Sequence, residues 1–106
     1  MSKAEDYSYR VFWSEEDQSF IATVAEFPLM SSIEDTQQAA FFGMVDLIAS
    51  VLEEMQIKGE TAPEPIAKRK YSGKIALRMT PEQHKRVALE AAEQNVSINQ
   101  LLVSRV

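Results

Sequence analysis

The chain has 106 residues, of which 45% are hydrophobic and 25% are charged, a composition typical of one globular domain or of two small units. It contains no cysteine, which excludes disulfides, thiolate nucleophiles and cysteine-based zinc sites, and His84 is its one histidine. The N-terminus is polar and acidic, and no apolar run approaches the roughly 18 residues of a membrane span. We therefore expect a cytoplasmic protein without a cofactor.

The net charge of −5 conceals two regions of opposite sign. Residues 1–66 contain three basic and thirteen acidic side chains, hence −10, whereas residues 67–106 contain eight basic and three acidic ones, hence +5. Such asymmetry indicates two units with different partners, and a basic unit suits nucleic acid. We predict an N-terminal domain over residues 1–66, a basic linker over residues 67–71 and a C-terminal domain over residues 72–106.

The first part of the chain predicts three short strands. Residues 7–13 and 19–25 are β-prone and flank the polar turn 14–18, which is typical of a hairpin. Residues 30–33 predict a short third strand.

One long helix is predicted over residues 37–58. Asp35 or Thr36 is its expected N-cap, with Gln38 completing a capping box after Asp35, and Gly59 suits the residue after its end. The residues of its apolar stripe are Phe41, Met44, Val45, Ile48, Leu52 and Met55. The segment 61–66 must be extended because it contains two prolines, and it is a candidate for a short edge strand.

The last 35 residues predict a strand and two helices. Residues 72–79 alternate between a polar and an apolar set, Thr80 and Pro81 begin a helix that ends near Asn95, and Ser97 caps a second helix. A unit this small is rarely stable alone, and dimerisation is the route open to it. Two copies can pair their strands antiparallel and stack their four helices beneath them. The apolar set buried by that pairing is Ile75, Leu77 and Met79. The set displayed on the paired ribbon is Lys74, Ala76 and Arg78.

Residues 74–82 and 97–100 resemble the ribbon-helix-helix family of DNA-binding proteins. A two-stranded ribbon fits the major groove of DNA. The residues that the resemblance implies for base contact are Lys74, Ala76 and Arg78. The residues that it implies for phosphate contact, through backbone amides, are Ser97, Ile98 and Asn99. Because Ala76 can touch a thymine methyl but cannot form a hydrogen bond, direct readout falls mainly to Arg78 and Lys74.

The N-terminal part is similar to the HicB antitoxin domain in three stretches. They are Phe27-Pro28-Leu29-Met30, Glu34-Asp35-Thr36 and Pro63-Glu64-Pro65. Together the two resemblances imply an α+β chain: a small antiparallel sheet with one long helix, partly ribonuclease-H-like, followed by a ribbon-helix-helix (β-α-α) dimerisation unit. They also imply an antitoxin that neutralises a small, basic, RNA-cleaving HicA-like toxin and represses its own operon by binding operator DNA.

This reading predicts a non-enzymatic protein that forms a homodimer through the ribbon, and N-terminal contacts that can raise the dimer to a tetramer. The main alternative is a stand-alone ribbon-helix-helix regulator whose N-terminal domain oligomerises or binds another ligand. A ribonuclease-H-type enzyme is a third hypothesis, which requires several carboxylates on a divalent metal. We expect Glu15-Glu16-Asp17 to be a solvated turn, because consecutive acids in one turn rarely complete a Mg²⁺ site.

Overall fold

The strands and the long helix lie where the local sequence predicts them, in a computed structural model that describes residues 2–106. The strands β1 (Tyr9–Ser14), β2 (Ser19–Val24) and β3 (Ser31–Glu34) form one antiparallel sheet in the order β1-β2-β3. The helix α1 spans Gln37–Lys58 and packs on one face of this sheet. The α+β class is therefore confirmed, and each strand begins and ends within two residues of its predicted bounds.

The pairing of β1 with β2 is uninterrupted. All six residues of β1 have partners, from Tyr9 opposite Val24 to Ser14 opposite Ser19. Because side chains alternate between the faces of a strand, this register directs the odd-numbered residues of β1 toward α1. The residues of the strands that contribute to the core or pack against it are Tyr9, Val11, Phe20, Ala22 and Val24.

The helix α1 begins and ends through local signals in the sequence. The Thr36 hydroxyl accepts a hydrogen bond from the Ala39 N–H at 3.1 Å, and Gly59 ends the helix in the left-handed region with φ of 72°. The expected capping box of Asp35 with Gln38 is wrong, because Thr36 rather than Asp35 is the N-cap and Gln38 falls one position too early. The residues of α1 that are buried are Ala40, Met44, Ile48 and Leu52, one per turn.

A glycine allows α1 to lie close to the sheet. A Cβ atom at Gly43 would stand 2.9 Å from the Ser32 Oγ on β3. A larger residue at this position would therefore require the Ser32 hydroxyl to move, whereas glycine leaves it room at the cost of helix propensity.

After α1, the extended segment 60–65 folds back against the start of the sheet. The candidate edge strand at 61–66 does not form; the segment is held by a buried proline, Pro65, and by two hydrogen bonds. The Tyr7 hydroxyl donates to the Pro63 carbonyl at 2.7 Å, and the Ile66 N–H donates to the Glu26 carboxylate at 2.9 Å. A 3-10 turn over Ile66–Lys68 follows.

The buried carboxylate of Glu26 joins three parts of the first unit. Its Oε1 accepts from the Ser8 N–H at 3.0 Å, and its Oε2 accepts from the Ser8 hydroxyl at 3.1 Å and from the Ile66 N–H. Burial alone would raise the pKa of Glu26, but these hydrogen bonds, that from Ile66 foremost, outweigh it and hold the pKa below its usual value.

The chain divides into two compact units, the first ending at Tyr71 and the second running from Ser72 to Val106. The second contains the helices α2 (Pro81–Glu93) and α3 (Ile98–Val103), as predicted. Thr80 and Gln83 form a capping box at the start of α2, and Asn95 follows its end in the left-handed conformation with φ of 57°. The strand predicted over residues 72–79 is not formed within a single chain, since the segment has no neighbouring strand with which to pair.

We predict that Glu26→Gln lowers the free energy of unfolding by about 1–3 kcal/mol, because an amide leaves one of the three donors without an acceptor. Urea unfolding of the full chain measures the change. Glu53→Gln is the matched control, since Glu53 is an exposed glutamate of α1 without a hydrogen bond in the described structure. An equal effect of both variants would contradict the role of Glu26.

A comparison of the wild type with Glu26→Gln also gives a prediction for the pH dependence of stability. The folded-state pKa of Glu26 lies below the unfolded value of about 4.3, so its stabilising contribution is complete above that pH. As the pH falls through the folded pKa, the contribution is lost. The difference in unfolding free energy between the wild type and Glu26→Gln should therefore shrink in acid.

Candidate nucleic-acid interface

The segment predicted to form a ribbon is exposed on both of its faces. Ile75 is 89% exposed and Leu77 is 62% exposed, and the polar residues between them are exposed as well. Its hydrogen bonds are local: the Lys74 N–H donates to the Ser72 hydroxyl at 3.1 Å. Large apolar side chains at alternate positions of an unpaired segment are typical of a surface that another polypeptide covers.

An open hollow of about 460 Å³ lies between this segment and α2. Leu77, Met79 and Val87 provide apolar walls, and Arg78 and Arg86 line the same hollow. Arg86 was missing from the sequence-based set. In the sequence, the one indication of a role for Arg86 is its position on α2, one turn before Glu90, which also lines the hollow.

The two helices of the second unit pack through one buried residue each. These are Ala91 of α2 and Leu101 of α3, and a turn with Asn95 in the left-handed conformation connects the helices. The Val96 N–H donates to the Ala91 carbonyl at 3.0 Å, which closes the end of α2. His84 is exposed near the start of α2, so it lies outside this packing.

The first turn of α3 is organised by a reciprocal pair of hydrogen bonds. The Ser97 N–H donates to the Gln100 Oε1 at 2.9 Å, and the Gln100 N–H donates to the Ser97 Oγ at 3.0 Å. Of the three amides expected to contact phosphate, that of Ser97 is thus already used, whereas those of Ile98 and Asn99 have no acceptor in the described structure. The Ser-x-x-Gln spacing is a capping-box pattern, so the sequence could have revealed the role of Gln100.

The two compact units also differ in net charge. The difference is smaller than that between residues 1–66 and 67–106, because the boundary after Tyr71 places three basic residues in the first unit. The unit that ends at Tyr71 contains six basic and thirteen acidic side chains, hence −7, and the second unit contains five basic and three acidic ones, hence +2. Two of the basic residues expected in the linker are engaged within the first unit. Lys68 pairs with Asp6 at 3.0 Å, and the Arg69 Nε donates to the Glu64 carbonyl at 3.0 Å.

The acidic hairpin turn is satisfied by local contacts. The Trp13 indole donates to Glu15 at 2.7 Å, and the Ser14 hydroxyl donates to Asp17 at 2.9 Å. Within residues 2–106, no group of three or more His, Asp or Glu side chains is arranged to hold a metal ion. None of the helices described in that range has the length and apolarity required to cross a membrane.

Comparison with known proteins identifies one family. The HicB family matches residues 56–106, which comprise the end of α1, the proline-containing segment and the whole second unit. The three strands and two of the stretches that resemble the HicB domain, residues 27–30 and 34–36, precede this range, whereas Pro63-Glu64-Pro65 lies within it. We found no significant match among curated proteins or among solved structures.

We predict that Ser97→Ala destabilises α3 by about 1 kcal/mol, because the Gln100 N–H loses its acceptor. Amide exchange of residues 98–103 in the full chain measures the effect. Asn99→Ala is the control, since the Asn99 side chain is exposed and makes no hydrogen bond in the described structure. If both variants exchange alike, the cap does not stabilise the helix.

Proposed function

We propose that this chain, whose residues 56–106 match the HicB family, is the antitoxin of a HicA–HicB-like pair. In this proposal the chain neutralises a small RNA-cleaving toxin and represses its own operon. The observation that carries the proposal is the HicB match over residues 56–106, which include the entire unit that resembles a ribbon-helix-helix.

The charge of the first unit supports its assignment to the toxin. A protein that binds and cleaves RNA is expected to present a basic surface to the phosphate backbone. The first unit carries a net charge of −7, which favours encounter with such a surface and opposes contact with nucleic acid. The two activities therefore belong to separate units.

The exposed apolar residues of the second unit support a homodimer. Antiparallel pairing of residues 72–79 from two chains would supply the missing strand partner and cover Ile75 and Leu77. It would also bring α2 and α3 of both copies together beneath the ribbon. A dimer is the smallest symmetric assembly that would give the exposed segment a strand partner and cover its apolar side chains.

The same pairing would present the polar face of the ribbon twice. Arg78 has the fork geometry that binds guanine, and Lys74 adds a second cation at the same face. The free amides of Ile98 and Asn99 suit a phosphate oxygen. The proposal assigns no catalytic residue, and it gives the chain a binding function.

We predict that Leu77→Glu abolishes dimerisation of the full chain, because a charge would be buried between the paired strands and the helices beneath them. Sedimentation measures the mass against the 12.0 kDa of a single chain. Ala76→Glu is the matched control, since it adds the same charge on the opposite face and should leave the oligomeric state unchanged. Equal masses for the two variants would exclude ribbon pairing.

We predict that Arg78→Ala weakens binding to the chain's own promoter DNA about tenfold or more, since a bidentate contact to guanine provides roughly 1–3 kcal/mol. Neutralisation of the toxin should be unchanged, because Arg78 lies in the other unit. Promoter binding is measured by mobility shift.

Neutralisation is measured by co-expressing the chain with the small basic protein that its operon encodes. Growth rescue by both the wild type and Arg78→Ala, together with a stoichiometric complex, is the expected result. Promoter binding without any bound neighbour would instead favour a stand-alone regulator.

A further inference from the structure

We propose that the outer edge of β1 binds a β-strand of the basic partner, so that the partner extends the sheet of the first unit. This inference rests on the proposed antitoxin function and names the surface that would perform it. It follows from three features of that edge: its lack of protection, its unpaired backbone groups and the aromatic side chains beside it.

The edge of β1 lacks the devices that usually protect an exposed strand. Edge strands are commonly interrupted by proline, a bulge or several charges. β1 contains no proline, its register with β2 has no bulge, and Arg10 is its one charged residue. A six-residue, mostly aromatic and apolar edge of this kind is suited to pairing.

The backbone of β1 offers regularly spaced donors and acceptors. The Ser8 carbonyl accepts from the Ala25 N–H at 2.9 Å, which fixes the phase of the ladder with β2. Because hydrogen-bonded and non-hydrogen-bonded pairs alternate, the amide groups of Val11 and Trp13 point away from β2. In the described part of the chain, no hydrogen bond reaches them from outside the sheet.

Aromatic side chains on the α1 side of the sheet accompany this edge. The rings of Tyr9 and Phe41 lie 5.5 Å apart. Phe41 is 38% exposed, and Trp13, at the far end of β1, is 46% exposed. A strand added to β1 would place its own side chains beside these rings, so the backbone pairing would be joined by apolar burial.

Charge selects the occupant. Glu15, Glu16 and Asp17 follow β1, whereas Asp6 before the strand is already paired with Lys68. A strand with lysine or arginine beside the 15–17 turn would meet opposite charge there. A second copy would instead bring a unit with the same net charge of −7 to the contact, which is unfavourable.

Amide exchange in the full chain tests the inference directly. The probe is the purified small basic protein encoded in the same operon, added to isotope-labelled chain. We expect exchange of the Val11 and Trp13 amides to slow at least tenfold in the complex, while the amides of β3, the other edge strand, keep their rates.

Two matched variants test the same edge by affinity. Trp13→Lys places a cation on the β1 edge, and Ile33→Lys places one on β3, where Ile33 is 54% exposed. We expect Trp13→Lys to weaken binding of the basic protein at least tenfold and Ile33→Lys to change it less than twofold. Circular dichroism establishes that both variants are folded, and the exchange measurement on the wild type does not depend on either variant.

The outcomes separate this inference from the proposed function. A complex in which the Val11 and Trp13 amides exchange as in the free chain overturns the edge and leaves the antitoxin role standing. Concentration-dependent protection of these amides without any partner assigns the edge to a second copy and overturns the choice of occupant. If the basic protein does not bind at all, both the edge inference and the antitoxin role fail.

Discussion

The carboxylate of Glu26 is the interaction on which the arrangement of the first unit depends. It accepts hydrogen bonds from Ser8, where β1 is about to begin, and from Ile66, where the chain leaves the unit. Ser8 lies 18 positions before Glu26 and Ile66 lies 40 positions after it, so one buried carboxylate fixes two distant parts of the chain. The Tyr7 hydroxyl reinforces this link through Pro63, so the start of the sheet and the end of the unit form a single structural element.

Much of this architecture is encoded in short stretches of sequence. The bounds of α1 follow from Thr36 and Gly59, and those of the hairpin follow from alternation and a polar turn. Glu26 could not be recognised in this way, because its partners are distant in sequence and a glutamate after a strand is usually solvated. The same limit applies to the segment 61–66, whose prolines predict extension but not what holds it.

The sequence predicts the alternating pattern of the candidate interface, but it does not show whether that segment is paired in a single chain. The alternation of residues 74–79 indicates a strand, yet a strand requires a neighbour, and the described chain provides none. The roles of Lys74, Ala76, Arg78 and the α3 amides in DNA binding remain predictions. The structure adds that the Ser97 amide is occupied by Gln100, a refinement that depends on side-chain geometry.

The exposure of Ile75 and Leu77 has a consequence for the proposed dimer. A unit completed by a second copy would be stabilised by mass action, so tenfold dilution would remove about 1.4 kcal/mol of the stabilisation that association provides. The first unit is held together by hydrogen bonds within one chain and would not share this dependence. In the proposed dimer, the order of the second unit would therefore rise and fall with the concentration of the chain.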